Sequence, residues 1–290
     1  MNTPDRNAPC WCGSGIKYKK CHLRFDEHLV RLQQHGALVP PRTCIKTLPQ
    51  IENIRKSAAV NTAVLDFIAA RIAPGISTAE IDRWVFEETQ RLGGVPAPLN
   101  YEGFPKSCCI SINDVVCHGI PSETEYLQDG DIVNVDLSTN RNGFFSDSSR
   151  MFCIGTVSAE KRRLVSVAAD CVRAGLDAVR PWGFLGDVGA AVQRCAEQAG
   201  FSVVREIGGH GIGLAFHEDP WVGYTTPPHT GMILAPGLCF TIEPMINMGS
   251  PSVEIDAGNG WTIRTSDGLP SAQWEIQVLV TESGCEVLAH

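Results

Sequence analysis

Residues 127–136 read LQDGDIVNVD and residues 234–243 read LAPGLCFTIE. Leu127, Gly130 and Asp136 recur 107 positions later as Leu234, Gly237 and Glu243. In the same register Pro74 maps onto Pro181 and Gly93 onto Gly200 without a gap. Each copy reads as helix, proline break, helix, glycine, then strands, the last carrying a carboxylate. Internal repetition is the first thing to establish, because it dictates the architecture. Two similar halves, each delivering an acid, predict a pseudo-twofold with a site between them.

The local patterns fill in each half. Ile51, Ile54, Ala58, Leu65, Ile68 and Ile72 recur at helical spacing, and Pro74-Gly75 stops that helix. Ser77 or Thr78 caps the next helix, which ends near Gly93-Gly94. Residues 107–118 read as strand, turn at Asn113-Asp114, strand; two more strands flank Asn140 to Gly143. The second copy is expected to hold helices at about 159–180 and 185–199 and a late strand at 274–282. Helices alternating with antiparallel hairpins give an α+β class. We expect a small module at 1–35, a linker with three prolines at 36–49, and a main domain at 50–290. Its halves should span about 50–155 and 156–290.

Composition narrows the possibilities. The apolar fraction of 43% supports a packed core. No apolar run reaches the roughly 18 residues of a membrane span, and the first residues lack an apolar signal region. A cytoplasmic location is expected, with the scattered cysteines as buried small hydrophobes or free thiols. The net charge of −8 is uneven: residues 1–42 hold seven Lys/Arg against three Asp/Glu, so they carry +4 and the remainder −12. A basic tip on an acidic body suggests an anionic partner.

Five residues in the main domain stand out as metal ligands: Asp136, Asp147, His210, Glu243 and Glu275. Glu275 interrupts the apolar strand QWEIQVLV, and Glu243 sits in CFTIEPM. A carboxylate so placed is costly to bury unless it is neutralised, paired or metal-bound. His210 lies in GGHGIG, where glycine allows close backbone approach. Four carboxylates and an imidazole suit a pair of divalent ions; Mn, Fe, Co and Zn all fit.

Together the segments KSCCISINDVVCHGIP (106–121), GFFSDSSRMF (143–152), GGHGIG (208–213), FHEDP (216–220), FTIEPM (240–245) and GNGWTIRTSDGLPSAQWE (258–275) resemble the signature segments of type I methionine aminopeptidases. The likeness spans about residues 45–290. It implies the two-halved pita-bread fold and hydrolytic removal of the initiator methionine from nascent proteins, by attack of a metal-bridged hydroxide. A small second residue would be favoured. Carried over residue by residue, Asp136 would chelate one metal, Asp147 and Glu275 would bridge both, and His210 with Glu243 would hold the second. Glu243 would also shuttle a proton to the leaving amine. His118 would contact the substrate near its amine, and His217 would bond the scissile amide and stabilise the oxyanion. Tyr101, Phe104, Cys109, Phe216 and Trp261 would line the methionine pocket. Position 104 is often Tyr in relatives, so Phe104 keeps the aromatic wall without the hydroxyl. Asp114 stands where Glu is common.

Cys10, Cys12, Cys21 and His22 supply four ligands of the kind structural zinc prefers. With GSGIKYKKCH they resemble the SEC-C motif of the secretion ATPase. A module of this size has little core, so metal would supply most of its stability. Lys17, Lys19, Lys20 and Arg24 make it basic, which makes the ribosome a reasonable partner; neither a membrane nor sequence-specific DNA is expected. Two alternatives stay open: a proline-directed aminopeptidase or dipeptidase of the same fold, and a non-catalytic, ribosome-associated adaptor. The former usually carry a longer N-terminal domain. Type II enzymes carry a long insertion where His217 and Glu243 here are 26 residues apart.

Overall fold

The computed structural model describes residues 4–290; the first three residues of the N-terminal module lie outside the described residues. Helix α1 (Leu23–Gln34) belongs to that module. Helix α2 (Leu48–Ala69) starts where a Thr47–Gln50 capping box satisfies its first amides, and α3 (Thr78–Arg91) where the Ser77 hydroxyl accepts from the Glu80 amide at 3.1 Å. The strands of the first half are β1 (Val95–Pro96), β2 (Cys109–Ile112), β3 (Val115–Cys117), β4 (Ile132–Arg141) and β5 (Phe144–Cys153). Asn142 and Gly143, both at positive φ, turn β4 into β5. β4 pairs with β5 along its whole length and with β2 and β1 on its other edge.

The second half follows with α4 (Ala159–Ala178), α5 (Leu185–Gln198), β6 (Ser202–Val203), β7 (Gly209–Gly211), β8 (Glu218–Val222), β9 (Cys239–Ile242) and β10 (Met245–Asn247). Then come β11 (Val253–Ile255), β12 (Ile263–Thr265), β13 (Ser271–Gln273), β14 (Ile276–Val280) and β15 (Cys285–Ala289). The repeat governs the backbone pairing itself. α5 occupies the span of α3 shifted by 107, and the pair Val95↔Asn140 recurs as Ser202↔Asn247. The bond from the Gly75 amide to the Leu127 carbonyl recurs from Trp182 to Leu234. The Gly130 amide bonds Ile154, and the Gly237 amide bonds Val280. On the returning strand the offset is therefore 126, and the added residues form β11 and β12, which pair onto β3.

By that second offset Ser149 and Glu275 are equivalent, and these two exchange backbone hydrogen bonds at 3.3 and 3.4 Å. The pseudo-twofold passes between them. Each half has its own core. One runs from Val60 to Ile154 under α2 and α3; the other gathers Leu164, Val188, Phe240, Ile242 and Val278 under α4 and α5.

Residues 36–49, expected as a linker, are bonded into the second half. The Leu38 carbonyl accepts from Ile233 and the Lys46 amide donates to Gly237, each at 2.8 Å, while Cys44 and Ile45 are buried. Pro40 and Pro41 keep the chain extended ahead of a 3-10 turn at Arg42–Cys44, so that Leu38 bridges to Met232 and Ile45 to Leu238, while Pro49 already lies in the first turn of α2. It is a strap. α1 docks behind it: Leu29 enters the second core, and Phe25 and His28 meet Trp182 with ring centroids 5.3 and 4.3 Å away. Asp26 ties module to strap, accepting from Tyr18 Oη (2.6 Å), Trp11 Nε1 (3.1 Å) and Arg42 Nη2 (2.7 Å).

Candidate active site

The cradle of acids is built from strand register. Asp136 on β4 faces Ser149, while Asp147 on β5 faces Ser138, so both acids share one face as diagonal neighbours. Ile242 pairs with Ile276 and Met245 with Gln273, which sets Glu243 opposite Glu275 between the paired segments. His210 on β7 is fixed by its amide, which donates to Thr241 Oγ1 at 2.9 Å. Its Nε2 lies 3.7 Å from both Asp147 Oδ2 and Glu243 Oε1. Asp147, His210 and Glu275 present ligand atoms within 4.8 Å of one another, and the Asp136 and Glu275 carboxyls are within hydrogen-bond reach.

Neighbouring side chains set the orientation of these groups. Ser138 Oγ donates to Asp147 Oδ1 (2.8 Å), Thr241 Oγ1 to Glu243 Oε1 (2.7 Å) and Gln273 Nε2 to Glu243 Oε2 (3.1 Å). His210 Nδ1 donates to the Gly211 carbonyl at 2.9 Å, so Nε2 carries the lone pair and faces the acids. Ser138, Thr241 and Gln273 were not singled out in the sequence. Each lies two residues from an acid of the cradle on the same strand run, and strand periodicity alone puts them on its face.

The cradle is electrostatically unfavourable by itself. Burial, reinforced by the neighbouring carboxylates, pushes Asp136, Glu243 and Glu275 well above the usual acid range. Burial pushes Asp147 up to about 7, against the bonds it accepts from Ser138 and the Ser148 amide. Burial pushes His210 down to about 4, so its imidazole is neutral. Glu275 Oε1 is buried without a hydrogen-bond donor among the described residues. Oxygen donors and one neutral imidazole, crowded and short of positive charge, fit divalent cations.

A cavity of about 450 Å³ opens onto the cradle. Tyr101, Phe104, Cys109, His118, Phe216, His217 and Trp261 line it together with the four acids and the imidazole of the cradle. Phe104 meets Trp261 edge-on at 5.3 Å, and Tyr101 meets Phe216 at 4.8 Å. The His217 ring stacks on Phe216 at 4.3 Å, with Nδ1 2.9 Å from Tyr101 Oη. Burial lowers His118 to about 4; His217, exposed on one side, is lowered by partial desolvation and by the neighbouring His210. Glu102, at φ 49°, and the exposed Trp221 also line the cavity; nothing in their sequence context marks them.

At the N-terminus, Cys10, Cys12, Cys21 and His22 converge within 4.8 Å. His22 Nδ1 is 3.2 Å from Cys10 Sγ and 3.1 Å from Cys21 Sγ, and Cys12 Sγ is 3.6 Å from Cys21 Sγ. Lys17, Lys19, Lys20 and Arg24 are exposed around this cluster. Among the described residues, no helix is long and apolar enough to cross a membrane.

An acidic cradle with one imidazole at the end of an aromatic cavity defines a metal-dependent hydrolase. Comparison with known proteins makes this specific. Residues 52–282 match metallopeptidase family M24, and residues 6–24 match the SEC-C motif. A methionine aminopeptidase of Chlamydia trachomatis is 44% identical over 289 residues, covering 98% of both chains. Methionine aminopeptidase A of Synechocystis is 46% identical over 240 residues, covering 82% of this chain and 94% of its own. The crystal structure of the Rickettsia prowazekii methionine aminopeptidase superposes with a TM-score of 0.83 at 40% identity, covering 85% of this chain and 99% of its own. The prolidase of Pyrococcus furiosus shares the fold, with a TM-score of 0.68 at 21% identity. The chain belongs to metallopeptidase family M24 and, within it, to the methionine aminopeptidases, with a SEC-C motif at its N-terminus. It is an enzyme with the pita-bread fold, and the family's chemistry uses divalent metal ions.

The cradle predicts how stability responds to pH. In the metal-stripped protein the folded state holds protons on acids that the unfolded chain, with pKa values near 4, has already released. Stability should therefore fall as pH rises through about 7. The opposite contribution of His118, His210 and His217, whose unfolded value is about 6.5, fades by about pH 7.5 and is outweighed because all four acids hold protons in the folded state. Between pH of about 6.5 and 7.5 the stripped protein should lose about 1 kcal/mol or more by urea titration. Saturating metal should reverse the sign, because protons then compete for the ligands. A stripped protein that gains stability over this window would contradict the cradle's electrostatics.

Proposed function

We propose that this enzyme removes the initiator methionine from nascent proteins with a small second residue, using two divalent ions. The observation that carries this reading is the cavity: an aromatic-walled space ending on the acidic cradle, with two neutral histidines beside it. Asp136, Asp147, His210, Glu243 and Glu275 would hold the ions, with Asp147 and Glu275 shared between them. When bound, Co, Mn, Fe or Zn ions would make a water nucleophilic near neutral pH and polarise the scissile carbonyl.

The protein's own groups do the rest. Tyr101, Phe104, Cys109, Phe216 and Trp261 offer aromatic faces and a thiol, which suit a thioether side chain. His118 stands at the cavity wall beside Trp261, where it would meet the substrate's amino end. Tyr101 donating to His217 Nδ1 leaves the ring proton on Nε2, available to the scissile amide oxygen. Glu243, held by Thr241 and Gln273, would carry a proton to the leaving amine. Nascent chains are made in the cytoplasm, and we place the enzyme there.

His217→Ala should lower kcat on Met-Ala-Ser by about 10²–10³-fold while metal content stays at the wild-type level. Ala-Pro peptides should be cut far more slowly than Met-Ala-Ser by the wild type. Metal loss in step with the rate would make His217 a ligand, and preference for Ala-Pro would favour a proline-directed enzyme.

The N-terminal module would hold one structural zinc through Cys10, Cys12, Cys21 and His22 and present Lys17, Lys19, Lys20 and Arg24 to the ribosome. The charge of +4 over residues 1–42 supports this, since the body at −12 would be repelled by RNA. Cys10→Ser with Cys12→Ser should weaken co-sedimentation with ribosomes, and wild-type binding should fall steeply between low and physiological salt. Equal binding by both proteins across the salt series would remove the ribosome from the account.

A further inference from the structure

Lys46 is buried, which is unusual for a lysine unless its charge is met. It sits on the strap, 172 residues from its partner, Glu218, whose Oε2 accepts from the Lys46 ammonium. The same ammonium donates to the Cys44 carbonyl at 3.3 Å. The other Glu218 oxygen, Oε1, accepts the amides of Leu214 (2.5 Å) and Ala215 (2.9 Å). Glu218 thus closes the loop 213–218 on itself, and Lys46 anchors that closed loop to the strap.

The lysine stem also touches the loop's first residue. A Cβ on Gly213 would lie 3.1 Å from Lys46 Cε and 2.6 Å from Ile54 Cδ1. The Gly213 carbonyl is tied to β5 by the Phe145 amide at 2.9 Å. Both ends of the loop therefore rest on Lys46, while Leu214 and Ala215 at its crest are exposed. His217 is carried between these anchors, immediately before Glu218, and its ring must stay on Phe216 and within 2.9 Å of Tyr101 Oη. The strap is itself held: the Lys46 amide donates to Gly237, and Ile45 packs so closely that a Cβ on Gly237 would lie 2.8 Å from Ile45 Cγ2.

We infer that Lys46 is a positioning residue for the reaction: through its ion pair with Glu218 it fixes the loop that aims His217 into the cavity. This rests on the proposed role of His217. A displacement of about 1 Å in a group that meets the transition state can cost on the order of 10²-fold in rate, so a remote anchor can act strongly on turnover. Removing the ammonium leaves the Glu218 carboxylate without its counter-charge, and the loop can then swing toward water.

The test is a mutant cycle on the full-length, metal-loaded enzyme with Met-Ala-Ser as substrate. Lys46→Met should lower kcat by about 10-fold to 10²-fold with little change in KM or metal content. Lys46→Met with Glu218→Gln removes both charges, so it should recover thermal stability yet keep most of the kcat loss. In a His217→Ala background, Lys46→Met should lower kcat less than about twofold further, because residues acting through one another are not additive. Losses that multiply in the two backgrounds would overturn the inference and make Lys46 a purely structural residue. So would a kcat that recovers together with stability in the double variant. If His217→Ala alone leaves kcat unchanged, the reading of His217 fails first and this inference with it, a result distinct from multiplying losses.

Discussion

Crowding of negative charge at the pseudo-twofold is the constraint on which the rest of this structure depends. Asp147, Glu243 and Glu275 are buried beside Asp136, and burial raises all four. Such an arrangement persists in a folded chain only if the scaffold is stiff and an opposite charge arrives. Stiffness comes from the paired β4–β5 and β9–β14 strands, each backed by its own core, and from the reciprocal bonds between Ser149 and Glu275. The hydroxyls of Ser138 and Thr241 and the Gln273 amide take up some of the acid oxygens and leave others facing the cavity.

The duplication explains both the likeness and the difference of the two sides. Asp136 and Glu243 occupy equivalent places at the ends of matching strands. On the returning strands, Asp147 is matched by Gln273 and Ser149 by Glu275, so each half contributes one acid there from a different position. The backbone is nearly symmetric, and the donor set is not. His210 enters from the second half alone, and the added segment with β11 and β12 brings Trp261 to the cavity. A symmetric frame with asymmetric side chains can hold two like ions and still bind a directional substrate, a peptide with its amino end first.

Much of this was legible in the sequence because it follows local periodicity or the fixed offset. The helices and their caps and the turn within Asn140 to Gly143 come from short spacings, the repeat from its offset of 107, and the five candidate residues from acids and an imidazole set in apolar or glycine-rich runs. Residues 36–49 were harder to read. Their prolines signal an extended chain, which serves equally for a tether and for a strand-like strap, and only the partner backbone at 232–238 distinguishes the two. Lys46 and Glu218 lie too far apart in sequence for any local pattern to join them. Trp221 and Glu102 reach the cavity through loop geometry that has no signature of its own.

We propose that the cradle at the pseudo-twofold holds a pair of divalent ions, and that the N-terminal module holds a further metal ion of its own. Elemental analysis of the full-length protein, saturated with one divalent metal and then desalted, tests it most directly. The account predicts about three equivalents per chain in the wild type, one of them lost in Cys10→Ser with Cys12→Ser and two lost in Asp147→Asn with Glu275→Gln. Full metal content in the Asp147→Asn, Glu275→Gln protein would contradict the account.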